Sequence, residues 1–444
     1  MPLPRGPRRM PCQAREPYLF RGRAARKHDA EAFRVAAAAA DPPAKSAVPC
    51  HANGTPRTAL NAAHAAGAEE SDSAKSPGRE ANMRAAKAAV VNGVKERVSV
   101  ETVELRDPRP GEAVVRIGAA GVCHSDLHVI NGDLPMPLPC VLGHEGAGVV
   151  EEVGPGVTRV APGDHVVLNS VPYCGSCWYC TSGRMYLCET GYVKAMMSEA
   201  ISRNGAGVGQ MAGVGTMAEL ALVSENSCIP LDRDIPLDRA CLIGCGVMTG
   251  VGAVINTARV QPGESVAVFG VGGVGLNVVQ GAAIVGADPI IAVDMNDKKL
   301  AFAKQLGATH TVSAAGADPV SAIQELTGGR GVDYAFEVIG RPEVVMQAFL
   351  ATRRGGKAVV VGVTGPTDMI AVPGMLMSLA EKSLIGSLYG SANMTRDVPR
   401  LVSLYRAGKL KLDELVSRRF SLAQVNDAFT ALENGEVVRG VITF

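Results

Sequence analysis

The sequence is poor in several features that mark particular classes of protein. Aromatic residues make up only 4 % of the 444 residues, and 44 basic residues nearly balance 43 acidic ones, for a formal net charge of +1. A charge this close to zero creates no field that would draw the chain to nucleic acid or to an anionic membrane. We also find no apolar run that approaches the roughly 18–20 residues needed to cross a bilayer. We therefore expect neither a nucleic-acid partner nor a membrane partner.

The sequence also lacks the patterns of a secreted, disulfide-bonded protein. The basic N-terminus is not followed by the apolar segment that a signal peptide requires. There are 11 cysteines, but four of them fall between Cys174 and Cys188 and the others are scattered. Clustered thiols of this kind favour a metal site over a disulfide framework. A cytoplasmic location is the expectation.

Residues 1–82 differ from the rest of the chain in composition. They combine arginine clusters, an alanine run and scattered prolines, and no helical or strand period persists in them. We interpret them as a disordered N-terminal extension, because such a segment cannot bury enough apolar surface to order itself. An organellar transit peptide is an alternative, although the prolines disfavour an amphipathic helix. A start codon assigned too far upstream is another, with Met83 as the working start.

From residue 83 onward the sequence shows two patterns of apolar and turn residues. Short apolar stretches separated by turn residues, such as Ala113–Ile117, predict an irregular and mostly β domain. Further along, apolar strands such as Ser265–Phe269 and Ile290–Val293 alternate with helical segments. This alternation predicts right-handed βαβ units and a doubly wound parallel sheet. The end of the chain returns to short helices and a final strand, Gly440–Phe444.

A glycine-rich turn follows the first strand of the α/β part. Gly270, Gly272 and Gly275, with Gly273 between them, form a G-x-G-x-x-G pattern that opens a helix, and Asp294 ends the next strand. The glycines permit a tight turn, a close approach of the backbone to a pyrophosphate, and close packing of helix on strand. The N–H groups and dipole of the helix favour the pyrophosphate. An aspartate at this place would bind ribose hydroxyls and repel a 2′-phosphate, so the pattern predicts NAD rather than NADP.

Four cysteines on one short loop form a metal-binding pattern. Cys174, Cys177 and Cys180 are separated by two residues each, and Cys188 follows after seven more. Four thiolates close a tetrahedral zinc shell without an open position, so this spacing predicts a structural zinc. A redox role of the C-x-x-C is disfavoured because no thioredoxin-like βαβ pattern encloses it.

Three further segments place metal-ligand residue types beside glycine. They read Gly-Val-Cys123-His-Ser-Asp, Gly-His144-Glu and Gly-Cys245-Gly. Two thiolates and one imidazole would leave a fourth coordination position open, as a catalytic zinc requires. Spacing alone does not show that segments so far apart in the chain converge.

Together the motifs resemble the zinc-containing medium-chain dehydrogenase/reductase family, particularly its alcohol dehydrogenases. The resemblance covers residues 83–444 and includes G-V-C-H-S-D, G-H-E, the four-cysteine loop, G-C-G-V-M-T-G and G-x-G-x-x-G. It implies an α/β protein in which residues 83–246 and 389–444 form a GroES-like β-rich catalytic domain. A Rossmann NAD-binding domain at 247–388 would interrupt it. The family also implies a homodimer or a homotetramer, between which the sequence does not choose.

The resemblance assigns two zinc ions to each subunit. The implied ligands are Cys123, His144 and Cys245 for the catalytic ion and Cys174, Cys177, Cys180 and Cys188 for the structural ion. Glu145 matches the glutamate behind the catalytic metal. Asp126 matches the carboxylate that orients the histidine ligand.

Five more positions match residues that serve the reaction or the cofactor. Ser125 would take the alcohol proton, and His128 would pass it through the nicotinamide ribose to water. Zinc would act as a Lewis acid that lowers the pKa of the alcohol, and hydride would pass to the nicotinamide. His124 and Arg439 match contacts to the pyrophosphate, and Lys299 matches a contact to a ribose.

The implied reaction is the oxidation of a primary or aromatic alcohol to the aldehyde. The segment G-C-G-V-M-T-G-V-G-A looks closest to the formaldehyde-dehydrogenase-like branch. Glutathione-dependent members carry an arginine where this chain has Tyr192 and an acid where it has Leu134, which argues against S-hydroxymethylglutathione. An adduct of another thiol, such as mycothiol, is an alternative, whereas Ser170 and Leu134 suggest an open, apolar pocket. A nucleotide-binding relative without catalysis is a second alternative, although such chains usually lack the zinc ligands.

Overall fold

The computed structural model describes residues 83–444. The interpretations of residues 1–82 concern a segment outside that range.

Along the described chain the strands are β1 (Arg84–Val91), β2 (Ser99–Leu105), β3 (Glu112–Gly121), β4 (Cys140–Val141), β5 (Glu145–Val153), β6 (His165–Leu168), β7 (Ile201–Arg203), β8 (Ala206–Gln210), β9 (Leu220–Ser224), β10 (Cys228–Leu231), β11 (Val266–Phe269), β12 (Ile290–Asp294), β13 (His310–Ser313), β14 (Val332–Glu337), β15 (Thr352–Val360), β16 (Ser383–Gly386), β17 (Val416–Ser421) and β18 (Arg439–Thr443).

The α-helices fall mainly between the later strands, as the alternating pattern predicts. They are α1 (His124–Asn131), α2 (Trp178–Thr181), α3 (Gly191–Met196), α4 (Leu237–Leu242), α5 (Met248–Gly252), α6 (Gly273–Val285), α7 (Asp297–Gln305), α8 (Pro319–Leu326), α9 (Pro342–Ala351), α10 (Gly374–Leu379), α11 (Met394–Arg406) and α12 (Val425–Glu433).

Two sheets make up the β-rich part. Strands β1, β2, β7, β8 and β4 close a small barrel in that order, and a larger sheet has the order β10-β6-β5-β3-β18-β17, with β9 also pairing with β3. The last strand, β18, is antiparallel to β3 and sets Val441 opposite Gly121. This pairing joins the end of the chain to its first described part, so two distant stretches of sequence build one sheet.

The α/β part contains the predicted parallel sheet. Its order is β13-β12-β11-β14-β15-β16, and every pairing between neighbours is parallel. The central strands β11 and β14 carry Phe269 and Phe336, which are almost completely buried. Burial of one such side chain contributes about 1.5–3 kcal/mol, so these strands lie in the core. Their carboxyl ends meet at the edge where ligands bind in sheets of this kind.

A continuous helical stretch, Leu237–Ala258, crosses from the β-rich part to the α/β part. It consists of α4, the π-helical turn Ile243–Val247, α5 and a second π-helical turn, Ala253–Ala258. It is long and apolar enough to cross a membrane by length and composition, so the expectation of no such run was wrong. Most of its apolar stretch is buried inside the protein, and core packing accounts for its composition. The boundary predicted between residues 246 and 247 falls within this helix.

Candidate metal centres and cofactor site

The four cysteines of the loop converge on a single point. Their sulfur atoms lie within 4.8 Å of one another. The Sγ–Sγ distances are 3.5 Å for Cys177 and Cys180, 3.8 Å for Cys177 and Cys188, and 4.0 Å for Cys174 and Cys180. Zn–S bonds of about 2.3 Å in a tetrahedron place the sulfurs about 3.8 Å apart. The spacing of these sulfurs therefore fits a closed zinc shell.

Backbone donors surround the sulfurs of this loop. The N–H of Cys177 donates to Sγ of Cys174 at 3.3 Å, and the N–H of Gly191 donates to Sγ of Cys188 at 3.2 Å. Donors aimed at sulfur favour the thiolate, which is the form that binds metal. Hydrogen bonding from Thr190 and from two backbone N–H groups lowers the pKa of Cys174 to about 5.

Cys123, His144 and Cys245 also meet at one place, although they lie far apart in the sequence. Their ligand atoms and a carboxylate oxygen of Glu145 lie within 4.8 Å of one another. Cys123 directly precedes α1, His144 lies between β4 and β5, and Cys245 lies in the π-helical turn Ile243–Val247. Pairing of β3 with β5 and packing of the long helix against β5 bring the three segments together.

His144 offers the clearest sign that this cluster suits a metal. The residue is only 4 % exposed, and neither of its ring nitrogens makes a hydrogen bond among residues 83–444. Buried polar atoms are nearly always satisfied, because an unsatisfied one costs free energy. Its Nδ1 lies 3.4 Å from Oδ1 of Asp126, which leaves Nε2 as the nitrogen free to bind an ion. One imidazole and two thiolates leave a coordination position open for substrate.

Asp126 connects the segments that carry two of these residues. It is fully buried, and its Oδ2 accepts from the N–H of Cys123 at 3.2 Å while its Oδ1 accepts from the N–H of Gly143 at 2.9 Å. The carboxylate therefore holds the backbone on both sides of the cluster besides facing the imidazole of His144. The sequence suggested only the contact to the imidazole.

Glu145 and Arg439 form a buried ion pair behind the cluster. They are 0 % and 4 % exposed, and the guanidinium of Arg439 donates to Oε2 of Glu145 while the N–H of Gly246 donates to Oε1 at 3.1 Å. Burial raises the pKa of Glu145, and the charge of Arg439 opposes that shift. Arg439 also lies against the glycine-rich turn, since a Cβ at Gly273 would be 2.6 Å from its Nη1. The arginine thus lies between the cluster and the turn.

The glycine-rich turn has the geometry that its pattern predicts. Gly270 has a positive φ of 89°, and Gly272 directly precedes α6. A Cβ at Gly275 would lie 1.9 Å from the carbonyl oxygen of Gly270, so only glycine fits there. A Cβ at Gly272 would meet nothing within 4 Å, which leaves open space in front of the helix N-terminus for a pyrophosphate.

Asp294 lies beside this turn at the end of β12. Its Oδ2 accepts from the N–H of Val271 at 3.0 Å, and its Oδ1 accepts from the N–H of Asn296 at 3.0 Å. The carboxylate is therefore fixed in orientation by backbone donors on both oxygens. Lys299 follows in the first turn of α7, where Asn296 caps the helix.

The residues around Cys123 in α1 extend from the cluster to the surface. The hydroxyl of Ser125 is 3.8 Å from Sγ of Cys123, while the side chain of His128 is 36 % exposed. Nδ1 of His128 lies 3.2 Å from Oδ2 of Asp133, a partner that no sequence pattern indicated. Desolvation lowers the pKa of His124, with an additional lowering by the charge of Arg439.

Comparison with known proteins agrees with this architecture. Residues 109–233 match the model of the alcohol dehydrogenase GroES-like domain, and residues 273–406 match that of the zinc-binding dehydrogenases. The NDMA-dependent alcohol dehydrogenase of Amycolatopsis methanolica is 43 % identical over 364 residues, which are 80 % of this chain and 98 % of that protein. The GroES-like and Rossmann fold class predicted from the sequence is confirmed.

Solved structures show the same likeness. Benzyl alcohol dehydrogenase from Acinetobacter calcoaceticus superposes with a TM-score of 0.77 at 35 % identity, over 81 % of this chain and 99 % of that one. A putative zinc-binding dehydrogenase from Sinorhizobium meliloti 1021, bound to NADP, superposes with a TM-score of 0.69 at 26 % identity, over 81 % and 100 % of the two chains.

Proposed function

Since the chain belongs to the zinc-containing medium-chain dehydrogenase/reductase family and is one of its alcohol dehydrogenases, we propose that it oxidises primary or aromatic alcohols to aldehydes with NAD as the hydride acceptor. The family binds zinc and a nicotinamide cofactor. The observation that carries the proposal is the convergence of Cys123, His144 and Cys245, in which the buried His144 has no hydrogen-bond partner for its Nε2 within residues 83–444.

We assign the catalytic roles by position around this cluster. A zinc ion held by Cys123, His144 and Cys245 would supply Lewis-acid chemistry, which favours loss of the alcohol proton near neutral pH. The hydroxyl of Ser125, which is 3.8 Å from Sγ of Cys123, would accept that proton. His128, which is partly exposed on the same helix and lies beside Asp133, would exchange it with solvent.

The choice of NAD rests on Asp294. Its carboxylate is oriented by two backbone N–H groups at the end of β12 and retains free lone pairs for the ribose hydroxyls. A 2′-phosphate at the same place would meet a negative charge. His124 and Arg439 near the pyrophosphate, and Lys299 near a ribose, complete the proposed cofactor contacts.

The proposed substrate class rests on Ser170 and Leu134, the two residues that the resemblance assigns to the substrate pocket. Ser170 donates its hydroxyl to the carbonyl of Gly244 at 3.3 Å, so it leaves no unpaired donor for a polar substrate. Leu134 supplies no charge for the carboxylates of a glutathione adduct. Oxidation of a thiol adduct, such as that of mycothiol, is the competing proposal for the same site.

We further propose that the enzyme is cytoplasmic and assembles as a homodimer or a homotetramer. Strand β16 lies at the edge of the parallel sheet, and within residues 83–444 no strand covers its outer side. Exposed apolar side chains lie in the segment before it, including Met369, Met375 and Leu379. An open edge beside an apolar surface favours pairing with a second copy. Thiolate zinc ligands suit a reducing compartment.

The test combines zinc analysis with activity. Wild type, Cys245→Ala and the control Cys241→Ala are compared for zinc per subunit and for NAD reduction on a panel of primary and aromatic alcohols. Cys241 is a matched control because it is a buried cysteine on the same long helix and lies outside the cluster. A parallel assay adds NDMA, on which the Amycolatopsis relative is named as dependent.

We expect two zinc ions and activity in wild type and Cys241→Ala, but one zinc ion and no activity in Cys245→Ala. A zinc content that does not change in Cys245→Ala, with no oxidation in any assay, would refute the metal assignment and favour a nucleotide-binding protein without catalysis. Turnover of S-hydroxymethylglutathione or of a mycothiol adduct that far exceeds turnover of simple alcohols would instead refute the substrate class.

A further inference from the structure

The peptide carbonyl directly before Cys245 is held from two sides by hydroxyl groups. The carbonyl oxygen of Gly244 accepts from the hydroxyl of Ser170 at 3.3 Å and from the phenol of Tyr389. Both residues lie far from Gly244 in the sequence. The carbonyl belongs to the π-helical turn Ile243–Val247, a rare geometry that is found mostly at functional sites.

Tyr389 reaches this carbonyl from a strained turn. Tyr389, Gly390 and Ser391 have φ angles of 54°, 63° and 50°, all in the left-handed region. Side-chain-bearing residues rarely adopt this conformation, and it persists only where surrounding contacts impose it. Here the carbonyl of Gly390 accepts from Asn256 at 3.2 Å, and the hydroxyl of Ser391 is 2.8 Å from that of Thr257. The turn is therefore hydrogen-bonded to the long helix that carries Cys245.

The backbone of the π-helical turn is packed tightly on its other side. A Cβ at Gly244 would lie 2.9 Å from the carbonyl oxygen of Leu168, at the end of β6. The N–H of Gly246 donates to Glu145. With the carbonyl of Gly244 fixed by two hydroxyls and the N–H of Gly246 fixed by a carboxylate, the backbone is restrained on both sides of Cys245.

We infer that Tyr389 and Ser170 are positioning residues for Cys245. By holding the Gly244 carbonyl they fix the peptide plane that precedes Cys245, and so direct its Sγ toward Cys123 and His144. Tyr389 follows the last strand of the parallel sheet and Ser170 precedes the four-cysteine loop, so the restraint joins two segments that are distant in the sequence at the metal cluster. The inference rests on the proposed role of Cys245 as a zinc ligand.

The test compares Tyr389→Phe and Ser170→Ala with wild type in the full-length enzyme. The control is Tyr405→Phe, because that phenol also donates a hydrogen bond, at 2.8 Å to Asp413, but outside the cluster. Release of each zinc ion to a chromogenic chelator is followed over time. The absorption spectrum of the cobalt-substituted enzyme reports the geometry of the catalytic site.

We expect Tyr389→Phe to release the catalytic zinc about two- to tenfold faster, as the loss of one hydrogen bond implies, and to shift the thiolate-to-cobalt absorption band. Release of the structural zinc should not change. Ser170→Ala should act in the same direction, and it provides the answer if Tyr389→Phe does not fold.

Release rates and a cobalt spectrum equal to those of Tyr405→Phe would overturn the inference. Equal acceleration of both zinc ions would also overturn it, because that result indicates general loosening of the fold. Retention of both zinc ions in Cys245→Ala would mark failure of the proposed function instead, since that outcome is independent of Tyr389.

Discussion

Asp294 is the residue on which we expect the choice of cofactor to depend, and Asp294→Ala tests it. Each carboxylate oxygen already accepts one backbone N–H at 3.0 Å, so the group is oriented before a ribose arrives. A hydrogen bond to a charged group contributes about 1.5–3 kcal/mol. Loss of the carboxylate should therefore weaken NAD binding by roughly tenfold to a hundredfold.

The same substitution should improve NADP binding. Two unit charges about 4 Å apart repel by about 1 kcal/mol in water and by about 4 kcal/mol at the effective dielectric constant of a protein surface. Combined with the weaker binding of NAD, the preference for NAD should fall by roughly fiftyfold or more. Asp294→Asn, which removes the charge but keeps one acceptor oxygen, should weaken NAD binding less than Asp294→Ala does.

The assay is fluorescence titration with NADH and NADPH, together with kcat/KM for the oxidised cofactors. The matched pair of variants separates loss of charge from loss of hydrogen bonding. A preference in Asp294→Ala that stays within about threefold of wild type would refute the argument, and the choice of cofactor would then have to come from other residues.

Two further substitutions test the buried charges and the loop. Cys188→Ser should lose one zinc ion per subunit, because the loop loses a ligand while the catalytic cluster keeps its own. The midpoint of thermal unfolding should fall, since the zinc ion no longer cross-links the loop. An unchanged zinc content, measured by elemental analysis, would exclude the closed four-cysteine site. Arg439→Leu should lower the free energy of unfolding by about 3–5 kcal/mol at neutral pH, because it leaves Glu145 buried and unpaired, and the double variant with Glu145→Gln should lose less. In the zinc-free protein, burial raises the pKa of Glu145 and removal of Arg439 raises it further, so the cost in Arg439→Leu should be greatest above that raised pKa and should shrink as the pH falls toward 4.5. A cost in denaturant unfolding of the zinc-free protein that does not change with pH would contradict this.

The site parts that could be predicted from the sequence are those formed by local spacing. Cys174 to Cys188 span one short loop, so residue type and spacing nearly determine that the sulfurs can meet. The same holds for the glycine-rich turn, in which Gly270 and Gly275 are separated by one strand-to-helix connection. In both cases the chain between the groups is too short to place them far apart.

Spacing along the sequence does not predict contacts between segments that lie far apart in the chain. Arg439 was expected at the pyrophosphate, and its salt bridge to Glu145 follows from the pairing of β18 with β3 at the far end of the chain. The hydroxyls of Ser170 and Tyr389 meet at Gly244 only because two segments distant in the sequence pack on one helix. The sequence analysis places Ser170 at the substrate pocket and not at Gly244, and no pattern in the sequence marks Tyr389.

The helix Leu237–Ala258 shows the same difference between what the local sequence predicts and what tertiary packing decides. The sequence analysis predicts no apolar run of this length and places a change of domain within the helix. In the folded chain it is continuous, because both parts bury its apolar surface. The sequence by itself determined the residue types, the alternation of strands and helices, and the local metal loop. Tertiary structure decided which distant side chains share a buried site, because free energies of desolvation and hydrogen bonding depend on neighbours that only the packed fold brings together.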